Sequence, residues 1–142
     1  MRLTVLAQGR KPDVALASAC DEYVRRAAPL LPFERVHCTT AKAQWDAARS
    51  RGGLVVLLDE RGTQCSSAEL AERVAGWQRS AVKHVGLLIG GADGFSEAER
   101  AQAQWLLALS KLTLPHRLAL LLLCEQLYRV GTILAGHPYH HG

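Results

Sequence analysis

The sequence predicts an α/β protein with a parallel sheet that is covered by helices on both faces. Short apolar runs without internal alternation recur along the chain, as in Leu54–Leu58 and Val85–Ile89. Segments with helical periodicity separate these runs, which is typical of strands buried beneath crossover helices. The chain has 142 residues, and neither a linker nor an internal repeat divides it. We therefore predict a single domain over residues 1–142.

The first half of the chain is predicted to alternate strictly between strands and helices. The elements are a strand at Leu3–Ala7, a helix from Pro12 and Asp13 to about Ala28, a strand at Phe33–Thr39, a helix at Ala41–Ser50 closed by Gly52 and Gly53, and a strand at Leu54–Leu58. Asp59-Glu60-Arg61-Gly62 then reads as a turn. The two acids could be catalytic or could contact a ribose, but solvated turn residues are the favoured interpretation.

In the second half, two capping boxes mark the starts of helices. Ser66 with Glu69 and Ser96 with Glu99 each place a serine three residues before a glutamate. Leu70, Val74 and Trp77 then fall on one helix face. The remaining predicted elements are a strand at Val85–Ile89, a strand at Trp105–Leu109, a long helix at about Arg117–Ala135 ended by Gly136, and a tail at 137–142.

The final helix is apolar around most of its circumference. Its leucines at 118, 120, 121, 122, 123, 127 and 134 point in nearly every direction. A helix of this kind must be buried on all sides, and a terminal helix of a small domain is hard to enclose. Burial against a second copy of the chain solves this problem, so we expect a two-fold homodimer. Glu125 and Arg129, four residues apart, can pair on the remaining polar strip.

Charge and cysteine usage exclude several classes of protein. The net charge of +4 permits a nucleic-acid partner, but the basic residues are scattered rather than grouped in a stripe. Four cysteines without a C-x-x-C pair support neither zinc nor a redox motif, and Cys20 and Cys124 are expected to be buried thiols. We predict a cytoplasmic protein with no signal peptide and no membrane span.

Two turns are the candidate binding site. Gly90–Gly94 follows one strand, and Ser110–His116 follows the next. Since ligands of open α/β sheets bind at the carboxyl ends of strands, we expect a nucleotide-sized pocket between them. The glycine pattern is neither a dinucleotide fingerprint nor a P-loop, so a tight turn and a plain connecting loop remain open as alternatives. The histidines of the tail lack further ligands at metal spacings, and no metal is predicted.

Several segments, in their order along the chain, resemble one known family. They are Leu87–Gly94, Leu109–His116, Glu125–Arg129 and His137–His140, with Asp21–Arg26 and Pro32–Glu34 towards the amino terminus. This order is similar to the RlmH family of SPOUT methyltransferases, which methylate N3 of a pseudouridine in large-subunit (23S) ribosomal RNA of the assembled ribosome. The resemblance covers the whole chain.

The resemblance implies an α/β knot, with a deep trefoil knot near the carboxyl terminus, and a homodimer. It also implies S-adenosylmethionine as the methyl donor, held by the backbone of three loops. The matching positions are Leu58, Gly91, Ser110, Lys111, Leu112, Thr113, Leu114 and Pro115. Leu58, Leu112 and Leu114 would flank the adenine ring.

The family places the tail of one subunit over the cofactor of the other. By this resemblance Tyr139 and His140 are the candidate catalytic residues, with His140 as the candidate proton acceptor. His137, Arg129 and His141 are candidates for RNA contact, and so is Lys111. A SPOUT enzyme acting on another RNA, such as a transfer RNA, and a non-enzymatic nucleotide-binding module are the alternative functions.

Three positions depart from the family pattern. His141 stands where the family has Arg or Lys, and Leu120 stands where an Arg is common. The segment Thr40–Gly53 is shorter than usual and poorer in lysine. The histidine makes the positive charge at that place depend on pH, and the other two departures remove positive charge.

Overall fold

The protein alternates strands and helices along its whole length. The computed structural model describes residues 1–141. The strands are β1 (Arg2–Gln8), β2 (Phe33–Cys38), β3 (Leu54–Gln64), β4 (His84–Ile89) and β5 (Trp105–Ala108). The helices are α1 (Val14–Ala27), α2 (Ala41–Arg51), α3 (Ser67–Arg79), α4 (Glu97–Ala101) and α5 (His116–Ala135). Every strand and helix predicted from the sequence is present.

All five strands lie parallel in one sheet, in the order β2-β1-β4-β3-β5. Side chains alternate between the two faces, and each face has its own hydrophobic core. Leu87 of β4 packs with α1, α3 and α5, whereas its neighbour Leu88 packs with Trp45 of α2 and Phe95. Because both faces are covered, the central strand β4 is buried at all six residues, as its unbroken apolar run predicts.

The course of β3 corrects one prediction. Asp59-Glu60-Arg61-Gly62 does not end the strand as a turn. Leu58 and Thr63 both pair with Leu107 of β5, so the four residues between them form a bulge inside one longer strand. A run of charged residues before a glycine has the local pattern of a turn, but the long-range pairing of Thr63 and Gln64 with β5 carries the strand onward.

The long helix α5 confirms part of the prediction made for it. Eight of its residues are buried, mainly against α1 and α3. Leu118, Leu122 and Leu134 stay 49%, 41% and 40% exposed, so one protomer does not cover the whole helix. By length and composition alone α5 could also cross a membrane; in the protein it packs against α1 and α3. The knot implied by the resemblance stays a prediction.

The two thiols expected to be buried lie together between α1 and α5. Cys20 and Cys124 are both fully buried. Contact with Cys20, together with burial, raises the pKa of the Cys124 thiol far above its ordinary value. This thiol therefore stays protonated and takes part in packing rather than in chemistry.

Candidate functional site

A cavity of about 650 Å³ opens at the carboxyl ends of β4 and β5, beside the bulge of β3. This volume lies within the range of about 300–1,000 Å³ that is usual for small-molecule and cofactor sites. The two predicted turns, Gly90–Gly94 and Ser110–Pro115, form two of its walls, and the bulge of β3 forms the third. The expectation of a nucleotide-sized pocket between neighbouring turns is therefore met in the geometry.

The first wall is a tight glycine turn between β4 and α4. The Gly94 N–H donates to the Gly91 carbonyl at 3.0 Å, and Gly94 has a φ of +67°, a conformation that favours glycine. A Cβ on Gly90 would lie 3.2 Å from the backbone of Gly94, so the turn closes tightly there. The predicted capping box of Ser96 and Glu99 is present and starts α4 directly behind the turn.

The second wall is a segment whose backbone groups are largely unused. Across the described residues 1–141, no backbone–backbone hydrogen bond outside the helices and strands involves residues 111–114. The Leu112 N–H donates to Ser110 Oγ at 2.9 Å, while the Leu112 side chain is 74% exposed. Unpaired backbone donors and acceptors beside apolar side chains are suited to the polar edge and the flat faces of a purine.

His116 lines this cavity together with the second turn. It is the first residue of α5, one residue before the helix start that the sequence predicted. Its Nε2 is buried and has no hydrogen-bond partner among residues 1–141. A buried polar atom without a partner costs free energy, and this nitrogen lies on the Gly9 side, 3.8 Å from the point where a Cβ on Gly9 would be. The only sequence signal for it was its position directly after the second turn.

Seven of the eight predicted cofactor-binding residues lie around the cavity. Its lining includes Leu58, Gly91, Ser110, Leu112, Thr113, Leu114 and Pro115. Lys111 belongs to the same turn but is exposed and does not line the cavity. The structure therefore brings together the three backbone segments that the resemblance identified.

The interpretation of Asp59 as a solvated turn residue is wrong. Its side chain is only 5% exposed, and its carboxylate lies 3.7 Å from Arg100 and 3.9 Å from Arg61. Glu60 is exposed, as predicted, but its Oε2 accepts a hydrogen bond from Thr113 Oγ1 at 3.2 Å. Both carboxylates belong to the cavity wall because the bulge turns them towards the other two walls.

The predicted catalytic tail lies on its own helix and not at this cavity. The Tyr139 ring packs edge-on against Tyr128 of α5, with 4.6 Å between ring centroids. The Arg129 guanidinium lies 4.9 Å from the centre of the Tyr139 ring and 3.0 Å from His140 Nδ1. Arg129 cannot accept a hydrogen bond, so Nδ1 must be the acceptor and the His140 proton sits on Nε2.

Tyr139 and His140 are therefore remote from the cavity of the same protomer. They contact Tyr128 and Arg129, which follow Ala119, the last residue of α5 that lines the cavity, by 9 and 10 residues. At a rise of 1.5 Å per residue this separation along α5 is about 14–15 Å. Within one chain, the predicted catalytic and cofactor-binding residues are not brought together.

Charge at the tail is already paired. Arg129 donates to Glu125 at 2.9 Å, as the four-residue spacing predicted, and this bond raises the pKa of Arg129. Burial raises the pKa of the Tyr139 phenol, so at neutral pH Tyr139 is a hydrogen-bond donor and not a base.

Of the candidate RNA contacts, His137 and His141 are exposed. No group of three potential metal ligands occurs within residues 1–141.

Comparison with known proteins agrees with this architecture. A family model described as "Predicted SPOUT methyltransferase" matches residues 1–140. The protein named ribosomal RNA large subunit methyltransferase H of Anaeromyxobacter sp. Fw109-5 is 44% identical, over 99% of both chains. A protein of the same name from Thermus thermophilus is 45% identical, over 99% of this chain and 98% of its own.

Two solved structures share the fold at low sequence identity. A probable methyltransferase from Bordetella pertussis Tohama I has a TM-score of 0.59 and 12% identity, over 91% of this chain and 95% of its own. A putative methylase family protein from Neisseria gonorrhoeae has a TM-score of 0.58 and 12% identity, over 99% of this chain and 85% of its own. With its parallel sheet, its three-walled cavity and these full-length matches, the chain belongs to the SPOUT methyltransferases, in the family of the ribosomal RNA large subunit methyltransferase H proteins.

Proposed function

We propose that this protein is an S-adenosylmethionine-dependent methyltransferase that modifies N3 of a pseudouridine in 23S ribosomal RNA of the assembled ribosome. The observation that carries the proposal is the cavity at the bulge of β3 and the carboxyl ends of β4 and β5, with its seven matching residues. The names of full-length relatives at 44–45% identity supply the RNA class. Ribosomes are the substrate, so we also propose the cytoplasm as its location.

The residues present fit an adenosine cofactor. Leu58, Leu112 and Leu114 offer apolar contacts for the adenine faces, and the backbone groups of residues 111–114 can hydrogen-bond its edge. Gly91 brings backbone, without a side chain, to the cavity wall.

The chemistry asks the protein mainly for alignment and for removal of a proton. When bound, the cofactor supplies a methyl group that is already activated on a sulfonium. The three walls have to orient the methyl group towards the base, because holding two reactants in a reactive geometry lowers the entropic part of the barrier. The N3 proton of the base must also leave, and we assign its acceptance to His140. His140 can do this only after its Nδ1 leaves Arg129, since Nε2 already carries a proton.

The active site is proposed to be shared between two protomers. Leu118 and Leu122 are exposed one turn apart on α5, directly beside the cavity-lining Ala119. If two copies of α5 pack antiparallel about a two-fold axis, the end of one helix lies beside the start of the other. The tail of each chain then reaches the cavity of its partner. This arrangement covers the exposed leucines and explains why the catalytic tail of one chain lies away from the cavity of the same chain.

The direct test is methylation of ribosomes from a strain that lacks this modification. Purified protein and labelled S-adenosylmethionine are expected to transfer one methyl group per 23S RNA, and mapping should find it on N3 of a pseudouridine. Transfer to transfer RNA in place of ribosomes would favour a SPOUT enzyme with a different substrate. Binding of ATP or NAD, without any binding of S-adenosylmethionine in calorimetry, would favour a non-enzymatic module.

A further inference from the structure

The bulge of β3 lies between the two turns that hold the proposed cofactor. It consists of Asp59, Glu60, Arg61 and Gly62, which leave the ladder between Leu58 and Thr63. The first three line the cavity together with the glycine turn and the Ser110–Pro115 turn. The bulge therefore projects two adjacent carboxylates into the space where the other two walls approach it.

Asp59 connects the bulge to the glycine turn through Arg100 of α4. Asp59 Oδ2 lies 3.7 Å from Arg100 Nη1, and the same guanidinium nitrogen donates to the Phe95 carbonyl at 2.5 Å. Phe95 directly follows Gly94. The side chains of Asp59 and Arg100 are only 5% and 19% exposed, so little water competes with this contact. A buried carboxylate is costly unless it is paired, which makes its position strongly determined.

Glu60 connects the bulge to the second turn. Its Oε2 accepts the 3.2 Å hydrogen bond from Thr113 Oγ1, in the middle of a segment that makes no backbone–backbone bond of its own among residues 1–141. A loop with so few internal bonds needs external contacts to keep one conformation. Of the side chains in this turn, Thr113 and Ser110 are the two that make hydrogen bonds.

We propose that Asp59 and Glu60 are positioning residues for the cofactor, each holding one of the two turns in its binding conformation. The inference rests on the proposed function, since it takes S-adenosylmethionine as the ligand. Neither carboxylate needs to touch the cofactor. When the turns are ordered before binding, the entropy cost of binding the ligand is smaller. Loss of either contact should therefore weaken affinity without changing the fold.

The contact between Glu60 and Thr113 can be tested by a double-mutant cycle. Glu60→Ala and Thr113→Val are each expected to raise the Kd for S-adenosylmethionine about three- to tenfold, the range of one hydrogen bond. The Kd of the double variant should be no higher than that of the single variant with the higher Kd. Thr113→Ser keeps the hydroxyl group and should therefore bind with wild-type affinity. The melting temperature without ligand should stay unchanged, because both side chains are exposed.

Additive effects in this cycle would show that Thr113 contacts the cofactor by itself, and they would overturn the positioning role of Glu60. Wild-type affinity in both single variants would do the same. The proposed function would stand in either case, because it depends on binding by the wild-type protein. Absence of binding by the wild-type protein would instead reject the proposed function, and this inference with it.

The contact between Asp59 and Arg100 is tested by Asp59→Asn and Arg100→Lys, two conservative changes. Both are expected to raise the Kd for S-adenosylmethionine at least threefold, because each weakens the link to Phe95. Asp46→Asn is the matched control, since Asp46 forms an exposed 2.6 Å pair with Lys42 on α2. If Arg100→Lys binds like the wild type, the positioning role of Asp59 is wrong, even where Asp59→Asn fails to fold.

Discussion

Gly62 shows how one residue sets the shape of the cavity wall. A Cβ at this position would lie 2.5 Å from the carbonyl carbon and oxygen of Leu106, a distance that real Cβ atoms essentially never show. The absence of a side chain lets the bulge of β3 return to β5 at Thr63. The same bulge carries Asp59 and Glu60, so the placement of both carboxylates depends on this glycine.

Gly62→Ala is therefore expected to destabilise the protein by about 1–3 kcal/mol, the cost of forcing atoms into a packed region. Urea denaturation measures the free energy of unfolding. Gly76→Ala is the control, because a Cβ there meets only the end of the Arg79 side chain at 3.8 Å within α3. In a helix interior the alanine should stabilise by about 0.5–1 kcal/mol. A Gly62→Ala protein as stable as the wild type would contradict the close approach of the two strands.

His140 is the residue on which the proposed chemistry depends. His140→Ala is expected to lower turnover about 100-fold or more, the contribution of a positioned proton acceptor. The Kd for S-adenosylmethionine should stay within about twofold of the wild type, because binding relies on the cavity walls. Glu72→Ala serves as the control, since Glu72 is an exposed residue of α3. Unchanged turnover in His140→Ala would exclude this histidine as the base.

At the scale of elements, the order of strands and helices could be predicted because local pattern and burial agree. Several local patterns each fit only one kind of element. They are the unbroken apolar run of β4, the capping boxes at Ser66 and Ser96, and Gly136 after α5. The bulge could not be predicted, since Asp59–Gly62 looks like a turn until Thr63 pairs with β5. Long-range pairing overrides local preference there.

The same distinction applies to the candidate site, where local sequence could predict some residues and not others. The two turns follow directly from where apolar runs stop, and the resemblance identified seven residues that line the cavity. The contacts of Asp59 with Arg100 and of Glu60 with Thr113 join residues 41 and 53 positions apart. No local pattern contains such partners. The unpartnered Nε2 of His116 likewise becomes visible only when its surroundings are known.

Helix α4 gives a prediction for pH dependence. One Glu99 oxygen accepts the Ser96 N–H and the other accepts Trp45 Nε1, both at 2.8 Å. Burial opposes the ionised form of Glu99, but these bonds outweigh it and hold the pKa below its ordinary value. A lowered pKa in the folded state stabilises the protein above the unfolded pKa of about 4.3, and this stability is lost as pH falls through the folded pKa.

Glu99→Gln should therefore cost about 1–3 kcal/mol at pH 7, because an amide cannot accept at both ends. The gap to the wild type should narrow when urea denaturation is repeated below about pH 4. Glu69→Gln is the matched control, since Glu69 occupies an equivalent capping box without a tryptophan contact. A gap that is independent of pH would contradict the role of the Glu99 charge.

At the scale of the whole molecule, one protomer contains a cavity without its proposed catalytic tail. The proposed second copy of the chain would account both for the exposed Leu118, Leu122 and Leu134 of α5 and for the distance of His140 from the cavity. The apolar circumference of α5 predicts such a dimer. Its two-fold arrangement decides whether the proposed active site is ever complete.

The most direct measurement of this shared site uses heterodimers of two inactive variants. One chain carries His140→Ala, and the other carries Gly91→Leu, which crowds Gln8 and disturbs the glycine turn of the cavity wall. Two affinity tags isolate the mixed dimer. Such a dimer retains one intact cavity facing one intact tail, so we predict about half of wild-type turnover on ribosomes. Turnover no higher than that of either inactive homodimer, with the mixed dimer verified by mass, would contradict the shared active site.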